Sequence, residues 1–381
     1  MRSTWFRLAS LLLLVAVLGV FDRALACAPG FERPDYYSPG LAYNHPLYGY
    51  QSMPNSTGWY ERADFRNRVR FNERGRHDHP IPNDPGPRLV ALGGSFTGGV
   101  EVPIDQTWPK RLEARLNADR PADGATRWRV VNEAHQGKRF DYFARLLDAA
   151  WFDELRPERL VFGFSYARLS PDPQLGPTEM ACQRALAYRG YSILHGPGLD
   201  DEARELVDAQ LDGFAPRLYE HAPWLRRSNI AAAWVRFEQQ RLRESDKRYA
   251  QTIFNGNYVA WPGCDQPSSA RNTRDHIAAI RRRARQRDIP VTFAFIPPRS
   301  CYLDEAGEDA SARIAEYFLP ADHTIDLCPA FRARFARDGE PLHWKSDGHP
   351  NRAGYDLVAE LIHAELSPLQ HQKDRPEHSP D

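Results

Sequence analysis

From Arg88 onward the chain alternates short apolar runs with amphipathic helical stretches, and this alternation constrains the fold more than any other feature. Residues 88–92, 128–132, 159–164 and 291–296, with a weaker run at 324–327, have strand length and little polar interruption, the pattern of strands covered on both faces. Helical spacing fills the intervals at 107–117, 140–153, 273–287, 310–318 and 353–366, with Thr107 placed to cap the first helix and Pro109 in its first turn. Strands and helices in alternation make a parallel sheet with helices on both faces, and ligands of such sheets bind at the carboxyl ends of the strands. The expected class is therefore α/β.

Residues outside this alternation set the organisation. Arg2 and Arg7 precede an apolar run from Leu8 to Phe21, and Ala24-Leu25-Ala26 precedes Cys27, which together have the three parts of a secretory signal. Export with cleavage after Ala26 is expected. Counted from Trp5, the run also suits an uncleaved anchor. Cys27 holds the place of an acylated lipoprotein cysteine, although Ala24 stands where leucine is usual and Asp22-Arg23 interrupt the apolar approach. Membrane attachment through Cys27 or the anchor thus stays open. Residues 27–87, rich in Pro, Asn, Tyr and Gly, read as an extended lead-in closed by the proline-rich turn chemistry of 80–87. The main domain is expected over 88–366, interrupted at 170–270 by a charged helical cap, with 367–381 as a polar tail.

Charge and cysteine usage narrow the partners. Lys+Arg and Asp+Glu both number 50, so no global basic field draws nucleic acid, and no nucleic-acid partner is expected. The five cysteines are Cys27, Cys182, Cys264, Cys301 and Cys328; in an oxidising compartment four of them can form two disulfides and leave Cys27 over, with the pairing open. No pair has the close spacing of a zinc site.

Two short segments carry the chemistry. Leu92-Gly93-Gly94-Ser95-Phe96-Thr97-Gly98-Gly99 follows the first apolar run, and Ser346-Asp347-Gly348-His349-Pro350-Asn351 precedes the last helix. A serine hydroxyl is a weak nucleophile at neutral pH, and a histidine oriented by a carboxylate is the usual device for removing its proton. With Asp347 two residues before it, His349 can be oriented through one ring nitrogen while the other serves Ser95. The structural alternatives are a glycine turn at Ser95 and capping or surface roles for Asp347 and His349. The segment is not a phosphate loop, since no lysine follows it, nor a Gly-x-Ser-x-Gly elbow, since Thr97 takes the place of the second glycine. No cofactor is expected. A metal reading of His343, Asp347 and His349 lacks a further ligand at recognisable spacing. His135 either lines a pocket or packs internally, and Trp224, Trp234 and Trp261 form either a sugar platform or core.

The run Ala91 to Val100, followed by Gln106-Thr107-Trp108-Pro109-Lys110-Arg111-Leu112-Glu113, resembles the first sequence block of the SGNH/GDSL hydrolases. The stretch Asp347 to Gly354 resembles their closing block, and the resemblance extends over residues 45–366, including the lead-in Arg70-Phe71-Asn72-Glu73-Arg74-Gly75-Arg76. It implies a flavodoxin-like three-layer sandwich with a parallel sheet, and a serine esterase with Ser95 as nucleophile, His349 as base and Asp347 as acid. Many members read Asp-x-x-His, which would put the acid at Ser346; this chain has Asp-x-His. The second block resembles Val130 to Gly137 and implies Gly137 as an oxyanion donor beside the Ser95 amide.

Two residues depart from the family pattern. Gly94 replaces the aspartate of the first block, and in Gly163-Phe164-Ser165-Tyr166-Ala167-Arg168 the asparagine of the third block is Ala167. Arg168, Ser165 and Tyr166 are the replacement donors at hand, Arg168 the best of them because a guanidinium is always charged and carries several N–H groups; the alternatives are an ordinary exposed arginine at 168 and a glycine that merely turns the chain at 137. The implied activity is hydrolysis of small acyl esters, with O-acetyl groups on carbohydrate as the substrate class. The alternatives are an O-acyltransferase on the same acyl-enzyme and a catalytically reduced domain that binds glycans or partner proteins.

Overall fold

The computed structural model describes residues 2–27, 36–37, 41–45, 49–81, 86–118, 127–136, 138, 140–165, 228–230, 233–234, 269–303 and 310–373. The expected cap at 170–270 lies almost wholly outside them, together with Cys182, Cys264, Trp224, Trp261, Gly137 and the stretch 166–168.

Helix α1 (Arg2–Ala26) contains a 21-residue apolar span, Trp5–Leu25, long and apolar enough to cross a membrane by length and composition. Four consecutive leucines, Leu11 to Leu14, are each more than half exposed, so this part of the helix is apolar all round. Near its end Asp22 accepts hydrogen bonds from Ser228 Oγ at 2.6 Å, the Ile230 backbone N–H at 2.9 Å and Asn229 Nδ2 at 3.1 Å.

The lead-in is more ordered than its composition implies. Strands β1 (Tyr36–Tyr37), β4 (Thr57–Glu61) and β5 (Arg66–Arg70) form an antiparallel sheet in the order β1-β4-β5, and β2 (Ala42–His45) pairs with β3 (Gly49–Ser52) as a hairpin. In β5 the exposure alternates residue by residue, with Asn67 and Val69 buried between exposed arginines, the period of a half-buried strand. After β5 the chain is fastened to the main domain by buried ion pairs, Arg74 and Arg76 to Glu133 at 2.7 and 3.0 Å and Asp78 to Lys110 at 2.9 Å. Removing one partner from such a pair leaves an uncompensated buried charge, about 3–5 kcal/mol.

The main domain is a five-stranded parallel sheet of β6 (Arg88–Gly93), β7 (Arg129–Asn132), β8 (Pro157–Phe164), β9 (Val291–Phe295) and β10 (His323–Asp326), in the order β10-β9-β8-β6-β7. Read from the other edge and counted within the sheet this is 2-1-3-4-5, the flavodoxin-like order. The helices are α2 (Ser95–Gly98), α3 (Trp108–Ala118), α4 (Phe140–Leu146), α5 (Ser269–Arg285), α6 (Ser300–Leu303), α7 (Ala310–Tyr317), α8 (Cys328–Asp338) and α9 (Arg352–Lys373).

Strand alternation splits the core into two layers. Val90, Leu92, Leu160, Phe162, Phe293 and Phe295 face α4, α5 and α7 in an aromatic-rich core. Leu89, Ala91, Val130, Val161 and Ala294 face the other way, onto Trp108 and Leu112 of α3, Phe331 of α8 and Tyr355, Val358 and Ile362 of α9. A fully buried side chain of this kind contributes about 1.5–3 kcal/mol, so both layers contribute to holding the sheet between its helices. The α/β expectation therefore matches the structure.

Several local expectations are corrected. The helical spacing over 140–153 resolves into α4 and a 3₁₀ segment at Ala150–Leu155. Thr107 Oγ1 donates backwards to the Ile104 carbonyl at 2.8 Å. The last helix runs on to Lys373, past the point where a loose tail is expected, and α8 has no counterpart in the sequence reading. Cys301, at the start of α6, and Cys328, at the start of α8, form a disulfide, and Cys27 is free and exposed.

Candidate active site

Strand β6 ends at a sharp turn into α2. Gly93 has φ +152°, and a Cβ there would lie 2.0 Å from the Gly163 carbonyl oxygen and 2.4 Å from Thr97 Oγ1, so only glycine fits between β6, β8 and α2. The Gly94 carbonyl accepts the Thr97 and Gly98 N–H groups at 3.0 Å each, closing a single helical turn whose first residue is Ser95. Thr97 is fully buried and donates to the Gly163 carbonyl at 2.7 Å, tying the turn to β8. Position 97 therefore needs a hydroxyl, which accounts for the threonine where an elbow motif has glycine.

The second segment is shaped by a backbone clasp before α9. Trp344 N–H donates to the His349 carbonyl at 2.9 Å, Gly348 N–H to Trp344 at 3.0 Å and Asn351 N–H to Leu342 at 3.0 Å. Asn351 then caps α9, its Oδ1 accepting the Gly354 N–H at 3.0 Å. Asp347 and His349 are thereby held on a short, closed loop.

The fold brings the two segments together across 254 residues of chain. His349 Nε2 lies 2.8 Å from Ser95 Oγ, and His349 Nδ1 is hydrogen-bonded to Asp347 Oδ1. The Phe96 ring lies against the imidazole with centroids 4.8 Å apart. The Asp347 side chain is only 1% exposed, so its charge needs partners. Its other oxygen, Oδ2, accepts from Tyr60 Oη at 2.6 Å and lies 2.9 Å from Arg62 Nε. Arg62 also donates through Nη1 to the Ser346 carbonyl at 2.7 Å, while Asp64 accepts the Lys345 N–H at 2.6 Å and the Ser346 hydroxyl. The β4–β5 hairpin thus grips the loop that carries Asp347 and His349.

A second carboxylate lies behind the imidazole. Glu101, on the segment after α2, is buried, with Oε1 3.4 Å from His349 Nδ1 and Oε2 accepting from Tyr355 Oη at 3.3 Å. Asn67 of β5 braces this segment, donating to the Val100 and Val102 carbonyls at 2.8 and 2.7 Å. Burial pulls the His349 pKa down, but the Glu101 charge and the Asp347 bond and charge outweigh it and hold it above the ordinary histidine value. Burial pushes Asp347 upward, and its bond to His349, with Tyr60 and Arg62 behind it, brings it below the usual carboxylate value. Glu101 is raised, chiefly by burial.

Tyr60, Arg62 and Glu101 escape the sequence reading. The alternation in Arg66-Asn67-Arg68-Val69-Arg70 marks a strand without giving Tyr60 or Arg62 a role, and a lone acid between Val100 and Val102 looks in sequence like a surface residue. The other candidates fall elsewhere. His343 is buried, with Nδ1 accepting from Tyr302 Oη at 3.0 Å and Nε2 donating to the Pro297 carbonyl at 2.9 Å, and burial drives its pKa down to about 4. Both ring nitrogens are used, so it is a packing histidine. His135 is also buried, against Tyr142, with its pKa held well below the usual value by burial. Ser165 is buried at the end of β8, and Trp234 is about half exposed. Gly137, Arg168 and Ala167 lie outside the described residues.

Among the described residues, Glu101, Asp347 and His349 offer ligand atoms within 4.8 Å of one another. The chemistry of that set opposes a cation: Asp347 Oδ2 is already taken by Tyr60 and Arg62, and the Arg62 charge lies alongside. Ser95, His349 and Asp347 instead form a relay from a hydroxyl through an imidazole to a carboxylate, at the carboxyl end of β6, able to move a proton off Ser95 Oγ.

No family model matches the sequence, and no curated protein matches it. Solved structures similar to the chain include the lipase Lip_vut3 from a goat rumen metagenome, at 11% identity and a TM-score of 0.38, covering 73% of this chain and 96% of that one. The lipase/acylhydrolase from Enterococcus faecalis gives 13% identity, a TM-score of 0.37 and coverage of 74% and 96%. The acetyl xylan esterase AlAXEase gives 11% identity, a TM-score of 0.37 and coverage of 73% and 99%. Likenesses of this size carry no argument about what the present chain does.

Proposed function

We propose that this protein is a serine esterase of the SGNH type, acting on small acyl esters through Ser95, His349 and Asp347. The observation that carries the reading is the relay itself: His349 Nε2 at 2.8 Å from Ser95 Oγ, with Asp347 on the opposite ring nitrogen. Ser95 Oγ attacks the ester carbonyl carbon as its proton passes to His349 Nε2, giving an imidazolium held by Asp347 and a tetrahedral oxyanion. Collapse breaks the bond to the alcohol, which leaves with the proton from Nε2. Water then gives a proton to Nε2 and attacks the acyl-serine, and its collapse returns that proton to Ser95 Oγ.

The oxyanion is received by the Ser95 N–H, with Gly137 and Arg168 as the further donors; one such donor contributes about 2.7–4 kcal/mol to the transition state. O-acetylated carbohydrate is the substrate class we assign, on the expected export together with the habit of the family that the motifs resemble. The test is p-nitrophenyl acetate hydrolysis by the folded chain beside S95A and H349A. Loss of turnover in both variants is expected, and equal rates in all three would remove the enzyme reading.

We further propose that the protein is exported and keeps α1 as a membrane anchor. The observation favouring retention over cleavage after Ala26 is Asp22, whose carboxylate takes the Ser228 hydroxyl and the Ile230 N–H as an N-cap would. A carboxylate inside an apolar span is costly unless paired, and this one is paired by a segment that folds some two hundred residues later.

A further inference from the structure

We propose that Glu101 is a second acid of the relay, a positioning residue that shares the His349 imidazolium with Asp347 and takes over its orientation when Asp347 is lost. The inference rests on the esterase reading and deepens it. Its basis is placement. Glu101 Oε1 is 3.4 Å from the same ring nitrogen, Nδ1, that Asp347 engages, and the Glu101 side chain is 1% exposed. Burying a carboxylate costs several kcal/mol unless a charge or strong donors meet it. The charged and titratable groups around it are Asp347, His349, Arg62, Tyr60 and Tyr355.

Of these, Tyr355 Oη donates to Oε2 from α9, and His349 is the cation facing Oε1. Arg62 is spent on Tyr60, Asp347 and the Ser346 carbonyl. The buried charge of Glu101 is thus matched when His349 is protonated, the state created as Ser95 gives up its proton. Two carboxylates then flank one imidazolium. Asp347 makes the direct bond, on a loop gripped by the β4–β5 hairpin. Glu101 is fixed by Tyr355 and by Asn67 on its backbone. The proton of the reaction moves only between Ser95 Oγ, His349 Nε2, the leaving alcohol and water; Glu101 neither gains nor loses one.

The experiment is a double-mutant cycle on the full chain, using p-nitrophenyl acetate, with E101Q, D347N and the pair. E101Q keeps size and an acceptor for Tyr355, so it isolates the charge. It is expected to cost less than about tenfold in kcat/KM alone, to move the acid limb of the pH profile downward, and to cost more than about a hundredfold in the D347N background. E101D, which keeps the charge, is expected to leave the acid limb near that of the unaltered protein. The same factor in both backgrounds with an unmoved acid limb would overturn the role of Glu101. S95A at the unaltered rate would instead overturn the esterase reading beneath it. Rates of fluorophosphonate labelling at Ser95 give the same comparison without turnover, and urea melts verify that each variant is folded.

Discussion

Substituting Gly93 by alanine tests the packing that aims Ser95. The added Cβ would lie 2.0 Å from the Gly163 carbonyl oxygen, 2.4 Å from Thr97 Oγ1 and 3.0 Å from Thr97 Cβ, at a residue whose φ is +152°. Gly163 is in β8 and cannot retreat without moving the sheet, and Thr97 is fully buried and bonded to it. A φ of +152° lies outside the left-handed helical well and costs an alanine about 1–3 kcal/mol, and overpacking adds about 1–3 kcal/mol, so G93A is expected to destabilise by roughly 2–6 kcal/mol. Gly339 supplies the control, because its φ is +68° and a Cβ there meets nothing within 4 Å. G339A carries only the conformational cost, about 1–2 kcal/mol. Urea unfolding of both variants separates the two contributions, and p-nitrophenyl acetate turnover of whatever G93A protein remains folded reports on Ser95. A G93A variant no less stable than G339A, with unchanged kcat/KM, would refute the claim that close packing at this turn sets the position of the hydroxyl.

The pH dependence follows from His349, which must be neutral to accept a proton. Its raised pKa places the acid limb of kcat/KM above the ordinary histidine value of about 6.5, and a limb at or below that value would contradict the two-carboxylate environment. For stability the sign is the reverse. The raised folded pKa gives a contribution that is full below about 6.5 and lost as pH climbs through the folded value, which pH-dependent urea melts of H349Q against the unaltered protein measure. Replacing Cys301 and Cys328 by serine opens a link across 27 residues and is expected to cost about 3.5 kcal/mol by chain entropy; an unchanged urea midpoint would speak against it. The intact mass of the protein from the membrane fraction is expected to include residues 1–26, and a mass beginning at Cys27 would contradict retention of α1 through Asp22.

How far the site could be read from residues depended on chain separation. Ser95 was legible because a glycine turn directly after an apolar run is a local pattern, and Asp347 and His349 because they share one short loop before a helix. Those patterns need no knowledge of distant partners. Tyr60 meets Asp347 across 287 residues, from strands of five residues whose edges are charged, so nothing local marked it. Glu101 was hidden for a different reason: a single acid among valines is indistinguishable from a surface residue until α9 closes over it with Tyr355.

The fold was legible at the level of alternation and blurred at element ends. The apolar runs fell on all five strands because a doubly covered sheet demands continuous hydrophobicity. The helical period over 140–153 continued through a break because 3₁₀ and α segments can bury the same aromatic face, with Phe143 and Phe152 in one core. Helix α8 was missed because Cys328-Pro329 reads as a turn, although proline is tolerated in a first helical turn.

The most direct measurement of the central claim is the site of covalent modification by a fluorophosphonate probe, read by intact mass and peptide mapping. The account predicts a single adduct on Ser95, absent from S95A and formed far more slowly in H349A. An adduct on another residue, or labelling of Ser95 at the same rate without His349, would contradict it.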